Sequence, residues 1–209
     1  MKNNFRFEDD SLIWERDYET IKIQPWGKDS LRVRSTKNPQ IQDLPWALLD
    51  PQPGTPECEI SEMDAILHNG KIEAIITADG RLSFARTGSG GVLLEEAPSY
   101  FPKPPARQYK PVTGNLYHID VRFNPQPDEH FYGLGQHQNG LLDQKGCVVE
   151  LSQRNTEVSI PFLLSSRGYG FLWNNPAVGR VELGMNGTHW VAEESRQIDY
   201  WITAGDSPA

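Results

Sequence analysis

Positive charge, cysteine and long apolar runs are all scarce in this sequence, and each scarcity removes a class of function. Twenty Lys and Arg stand against 28 Asp and Glu, a net charge of −8, the wrong sign for a surface that must neutralise phosphates. Nucleic acid is therefore not an expected partner. The longest apolar stretches, such as Pro161 to Leu164 and Gly170 to Trp173, are far too short to span a bilayer as a helix, and the opening Met-Lys-Asn-Asn-Phe-Arg-Phe-Glu lacks an apolar signal core. The expectation is a soluble, cytoplasmic chain without a membrane partner. Only Cys58 and Cys147 are present, with no CxxC spacing, so neither a disulfide framework nor a thiolate metal site is expected, and two buried thiols are.

Catalytic signatures are scarce too. The five histidines, His68, His118, His130, His137 and His189, form no HxH or HxxxH pair, and no Gly-x-Ser-x-Gly elbow occurs. No metal and no cofactor are expected. Tyr132-Gly133-Leu134-Gly135-Gln136 contains GxG, but the residues after it do not open a glycine-capped helix, so it reads as a strand ending in a tight glycine turn. The 28 acidic residues permit many accidental carboxylate pairs, and composition cannot choose a glycosidase pair among them. Asn186-Gly187-Thr188 is a sequon by pattern, read more simply as a hairpin turn.

What the chain does have is turn-forming residues at short intervals, 18 Gly and 16 Pro in 209 residues, with 37% hydrophobic and 10% aromatic content. That spacing suits antiparallel sheet in a folded domain of one piece. Ile21 and Ile23 alternate with Lys22 and Gln24, and Leu31 and Val33 with Arg32 and Arg34, each a period-two pattern with one wet face. Trp26 to Ser30 joins the two as a turn. From Ile60 to Glu96, Asn69-Gly70 and Asp79-Gly80 separate apolar runs as the turns of a meander. Ser166-Arg167-Gly168 and Asn186-Gly187 mark later hairpins. Two proline-rich stretches, Pro45 to Pro56 and Pro98 to Pro111, cannot be central strands; within the second, Pro102 to Arg107 also matches a PxxPxR ligand by composition. The first dozen residues read as a loose arm, with Trp14 the first core anchor. Most of the six tryptophans are assigned to the core, and any left outside could offer a flat face to a sugar ring.

Phe131-Tyr132-Gly133-Leu134-Gly135-Gln136, followed by Ile160-Pro161-Phe162-Leu163-Leu164-Ser165-Ser166-Arg167-Gly168-Tyr169-Gly170-Phe171-Leu172-Trp173-Asn174-Asn175-Pro176, resembles the amino-terminal domain of glycoside hydrolase family 31. Gln24-Pro25-Trp26-Gly27 with Leu31-Arg32-Val33-Arg34, and the Lys71 to Glu96 meander, also look like their counterparts there. The resemblance covers nearly the whole chain in the family's order. It implies an all-β fold: an antiparallel, galactose-mutarotase-like β-sandwich, one domain over residues 1–209, without the (β/α)8 barrel, and with residues 203–209 at the start of the link to that barrel.

The resemblance further implies a parent enzyme of the retaining α-glycosidase type, its two catalytic aspartates lying in the barrel. No catalytic residue is therefore nominated, and the 209-residue chain alone is expected to be inactive. The partners implied are an α-linked oligosaccharide, met through the parent enzyme, and the catalytic barrel of the same polypeptide. Where the family often presents an Arg-Asp pair beside the leaving-group subsite, this chain has Arg154-Asn155, which are the candidate substrate-binding residues. α-Glucosidase, α-xylosidase and transglycosidase stay open, because the subsite for the sugar ring belongs chiefly to the barrel. A free-standing carbohydrate-binding sandwich is the alternative. An autonomous mutarotase-like enzyme finds no paired His and Glu to support it.

Overall fold

The structure, a computed structural model, describes residues 4–51, 54–88, 91–99 and 102–206. The strands in chain order are β1 (Phe5–Glu8), β2 (Ser11–Arg16), β3 (Glu19–Pro25), β4 (Ser30–Thr36), β5 (Glu57–Ile60), β6 (Asp64–Asn69), β7 (Ile72–Thr77), β8 (Leu82–Arg86) and β9 (Val92–Glu95). They continue as β10 (Arg107–Pro111), β11 (Tyr117–Phe123), β12 (Phe131–Gln136), β13 (Val148–Leu151), β14 (Val158–Ser165), β15 (Tyr169–Trp173), β16 (Gly179–Gly184), β17 (Gly187–Ser195) and β18 (Ile198–Ala204). No helix occurs among the described residues.

An eight-stranded sheet runs β1-β2-β3-β4-β18-β15-β14-β12, and two five-stranded sheets run β10-β11-β17-β16-β13 and β5-β6-β7-β8-β9. The last of these is the meander. Both smaller sheets pack on the inner face of the large one. Tyr200 on β18 and Phe171 on β15 stack at 4.9 Å; Phe84 of the meander meets Tyr200 edge-on at 6.1 Å, and Trp190 of β17 stacks on Phe171 at 4.9 Å. Aromatic edges and faces thus join three sheets in one core. A bridge between Glu96 and Phe123 stitches the two smaller sheets along their margin.

A buried ion cluster ties the same junction. Arg107 reaches Glu19 at 2.6 Å and also pairs with Glu96, whose carboxylate accepts the Leu82 amide at 3.0 Å. Burial works against the Arg107 charge, but the two carboxylates outweigh it and hold the guanidinium firmly protonated. Gly80 explains one hairpin: it sits at φ +87°, and a Cβ there would lie 2.5 Å from the Trp14 ring, so the turn closes over that tryptophan only with glycine.

The proline-rich stretches fall outside the sheets, apart from the edge strand β10, which ends at Pro111. Four expectations change. Residues read as a loose arm contain β1, paired with β2, and Phe5 is buried; the apolar face of the Phe5 to Trp14 hairpin was hidden by the acidic turn Asp9-Asp10 within it. Both cysteines are partly rather than fully buried. The strand through Tyr132 does not end at its glycines: β12 continues across them in a bulge opposite β14. Arg32 and Arg34 are on no wet face; every residue of β4 is buried, because the chain after it, residues 37–49, folds back over the outer side of the sheet.

Candidate functional site

Arg154 and Asn155 lie in the turn between β13 and β14, where the chain crosses from a five-stranded sheet to the eight-stranded one. Both side chains are exposed. Gln153 clamps the start of β14, donating Nε2 to the Ser159 carbonyl at 2.9 Å and accepting the Ser159 amide at 3.2 Å. Gln138 donates to the Thr156 hydroxyl at 2.5 Å, and the Glu157 amide donates to the Arg154 carbonyl at 3.3 Å. The bulge in β12 sets this up. Gly133, Leu134 and Gly135 all have positive φ, and a Cβ at Gly135 would come within 2.0 Å of the Val158 carbonyl; glycine there lets β12 lie against the root of the turn. His137 follows, its Nε2 2.8 Å from the Leu134 carbonyl.

Arg154 pairs with Glu150 on β13, both partners more than half exposed. Exposed pairs of this kind contribute only about 0–1 kcal/mol, so the guanidinium can exchange Glu150 for a polar ligand at little expense. Chemically the turn offers hydrogen-bond donors from a braced backbone: a guanidinium from Arg154 and an amide that both donates and accepts from Asn155. It offers no nucleophile and no acid–base pair. Among the described residues, no three His, Cys, Asp or Glu side chains converge in a way that could hold a metal ion.

The outer face of the eight-stranded sheet, away from the core, has two halves. Over β4 it is covered and charged. Arg32 donates to both oxygens of Asp199 at 3.0 and 2.6 Å, to the Leu44 carbonyl at 2.6 Å, and to Asp43 at 3.2 Å; Arg34 donates to Asp43 at 2.7 Å and also meets Gln24. Gln197 holds the covering segment by both backbone groups of Gln42, at 2.8 and 3.0 Å. Trp26 packs 4.5 Å from the Arg32 guanidinium and donates to the Leu49 carbonyl at 2.8 Å. Burial pushes the Asp199 carboxyl up, and the bonds and charge of Arg32 pull it back.

Over β14, β15 and β18 the same face is uncovered and apolar. Register pairs Phe162 with Leu172 and Leu172 with Trp201, a row of three large apolar side chains that are only partly buried. Val158 and Ile160 continue it along β14 at 47% and 49% exposure. Beside the row, Tyr132, Leu164, Tyr169 and Thr203 line a groove of about 620 Å³. Gly205 and Asp206, the last described residues, sit on the rim of that groove. Lys71 pairs with Asp206, and Arg86 donates to the Gly205 carbonyl, so these two residues are tied to the meander.

The chain is thus a layered antiparallel sandwich with one braced, donor-bearing turn and a partly exposed apolar face. Residues 20–182 match the model of the glycosyl hydrolase 31 N-terminal galactose mutarotase-like domain. This chain belongs to that family. It is 38% identical to a family 31 glucosidase of Pseudescherichia vulneris over 94% of its length and 40% of the relative's. It is 30% identical to α-xylosidase A of Aspergillus niger, over 91% of this chain and 28% of that one. The crystal structure of a family 31 α-xylosidase from a soil metagenome, complexed with xylose, superposes with a TM-score of 0.91 at 42% identity, covering 98% of this chain and 32% of that chain. The chain therefore spans well under half the length of these relatives. Its antiparallel, mutarotase-like sandwich without a barrel is the family's amino-terminal portion.

The resemblance pointed to Arg154 and Asn155, and the structure brings them together on one exposed turn. The apolar row was not legible as a surface. Its members sit in strands whose alternation is blurred by apolar residues on both faces, as in Phe162-Leu163-Leu164 and Phe171-Leu172-Trp173.

Proposed function

We propose that this domain is the amino-terminal support of a retaining α-glycosidase that releases α-linked xylose, the activity named for the Aspergillus and soil-metagenome relatives. The catalytic barrel of the same polypeptide sits on the uncovered half of the outer face, and the turn carrying Arg154 and Asn155 leans over its leaving-group subsite. The observation that carries this reading is the apolar row Phe162, Leu172 and Trp201, continued along β14 by the more exposed Val158 and Ile160. An exposed apolar patch of that kind marks a surface that another element covers. The length of the matching relatives supports that occupant, since 60% or more of it lies outside the matched region. A cytoplasmic setting belongs to the same proposal, because the two free, partly buried cysteines suit a reducing compartment.

In this arrangement the domain supplies no reacting group. Arg154 and Asn155 orient the leaving-group sugar through hydrogen bonds to hydroxyls, which improves placement of the glycosidic oxygen. The test is kinetic, on the full-length enzyme. Asn155→Ala and Arg154→Ala are expected to lower kcat/KM about tenfold for oligosaccharide substrates while sparing aryl α-xylosides, whose leaving group lacks those hydroxyls. Unchanged kcat/KM for every leaving group would remove the turn from the subsite. Hydrolysis of an aryl α-xyloside by the purified 209-residue chain would contradict the supporting role itself.

A further inference from the structure

The covered half of the outer face ends in a cavity of about 370 Å³ whose walls come from segments distant in sequence: Leu44 and Trp46 of the covering loop, Asn174 after β15, Glu194 of β17, Gln197, and Asp199 of β18. Two independent features mark it. Trp46 lines the cavity, yet it is 54% exposed and sits at φ +49°. A bulky aromatic residue rarely takes that conformation, and a cost of about 1–3 kcal/mol attaches to it; the turn is held by the Leu48 amide donating to the Pro45 carbonyl at 2.8 Å. Strain is thus accepted at a place where it keeps a tryptophan out of the core.

The second feature is Asn174. It is 2% exposed, and its Oδ1 accepts the amide of Ala47, the residue after Trp46, at 3.2 Å. Its Nδ2 stands close enough to Asp199 to help steady that carboxylate, but meets no acceptor in hydrogen-bond geometry. A buried donor left in this state costs about 1–3 kcal/mol and calls for an explanation. So one side chain fixes the loop with its oxygen and holds, just behind the cavity wall, a nitrogen that lacks an acceptor.

We propose that this cavity is a binding site for a neutral saccharide, with the Trp46 indole packed against the C–H face of a pyranose ring and Asn174 Nδ2 donating to a sugar oxygen. The chemistry selects that class. Glu194 and Asp199 on the wall are balanced by Arg196, which also lines the cavity, and by Arg32, which pairs with Asp199, so the wall carries no net charge to draw an anion or a cation. An aromatic face with amides and carboxylates around it is what hydroxyl-rich, uncharged rings require. The choice of a pyranoside over another neutral polyol rests on the glycosidase reading above. The cavity is distinct from the turn carrying Arg154 and Asn155, which lines a separate hollow with His137 and Glu157.

The test is titration of the 209-residue chain with methyl α-xyloside, methyl α-glucoside and, as control, sorbitol, followed by NMR of the tryptophan indole and asparagine amide signals. Saturable shifts of the Trp46 indole and the Asn174 side-chain amide are expected with the glycosides and absent with sorbitol. Trp46→Ala should weaken binding about tenfold or more without lowering Tm, because the side chain is exposed, and Trp46→Tyr should restore most of it. Glycosides that leave both signals unmoved, or equal binding by Trp46→Ala, overturn the proposal. So does binding by the chain that disappears in the full-length enzyme, since the cavity would then be covered by the rest of the protein. Seating of the barrel is read separately, through Ile160, so failure of one proposal does not imply failure of the other.

Discussion

The two halves of the outer face of the eight-stranded sheet share strands, register and twist, yet one carries Arg32, Arg34 and Asp199 and the other Phe162, Leu172 and Trp201. Trp201 pairs directly with Arg32 across β18 and β4, so the change from charge to apolar surface takes a single strand spacing. The difference lies in what covers each. Residues 37–49 bring their own carbonyls and Asp43 to the arginines, so the charged half is covered from within the chain. The apolar half has no covering segment among the described residues. A sheet face that covers its own charges needs no further cover, whereas one that leaves a row of large apolar groups partly exposed is the kind of surface partners use.

The largest effect expected from breaking this contrast is at Asp199. Asp199→Ala leaves the Arg32 guanidinium buried with only the exposed Asp43 and a carbonyl for partners, and should cost about 3–5 kcal/mol in urea unfolding of the chain. A loss below about 1 kcal/mol would mean that the covering loop, rather than the ion pair, holds this half.

Next comes the apolar half. Ile160→Asp should leave the isolated chain as stable as the parent within about 0.5 kcal/mol, since that side chain is 49% exposed there already. In the full-length enzyme the same change should cost about 2 kcal/mol or more, through lost apolar burial and a carboxylate trapped at the seam.

A smaller, pH-dependent effect sharpens the charged half. The folded-state pKa of Asp199 is raised above its ordinary value, chiefly by burial, so the folded state binds the proton more tightly than the unfolded chain does. Relative to Asp199→Asn, the parent should therefore gain stability as pH falls from neutral through the raised pKa, and level off below the ordinary aspartate value. A difference that shrinks on acidification would reverse the assigned direction. Smallest of all, Arg154→Ala should leave Tm of the chain unchanged, because its pair with Glu150 is solvated; a shift of several degrees would make Arg154 a structural residue.

Much of the fold was legible in the sequence. Asn69-Gly70 and Asp79-Gly80 place the meander turns, and Ser166-Arg167-Gly168 and Asn186-Gly187 the later hairpins, because turn chemistry is local. What was not legible depends on contacts between distant segments. Arg32 and Arg34 read as a wet face because alternation reports polarity, not cover, and the partner that keeps Arg32 in place, Asp199, lies 167 residues away. The glycines of β12 misled for a different reason: positive φ serves a bulge as well as a turn. Of the candidate turn, the residue types were read from the resemblance alone; its bracing by Gln138 and Gln153 joins backbone and side chains that sequence spacing does not bring together.

The proposed seat for the rest of the enzyme is the uncovered half of the outer face. Its most direct test is the thermal midpoint of Ile160→Asp measured twice, in the 209-residue chain and in the full-length enzyme. An unchanged midpoint in the chain and a lower one, with lost activity, in the whole enzyme is the expected result; unchanged midpoints in both would contradict that seat.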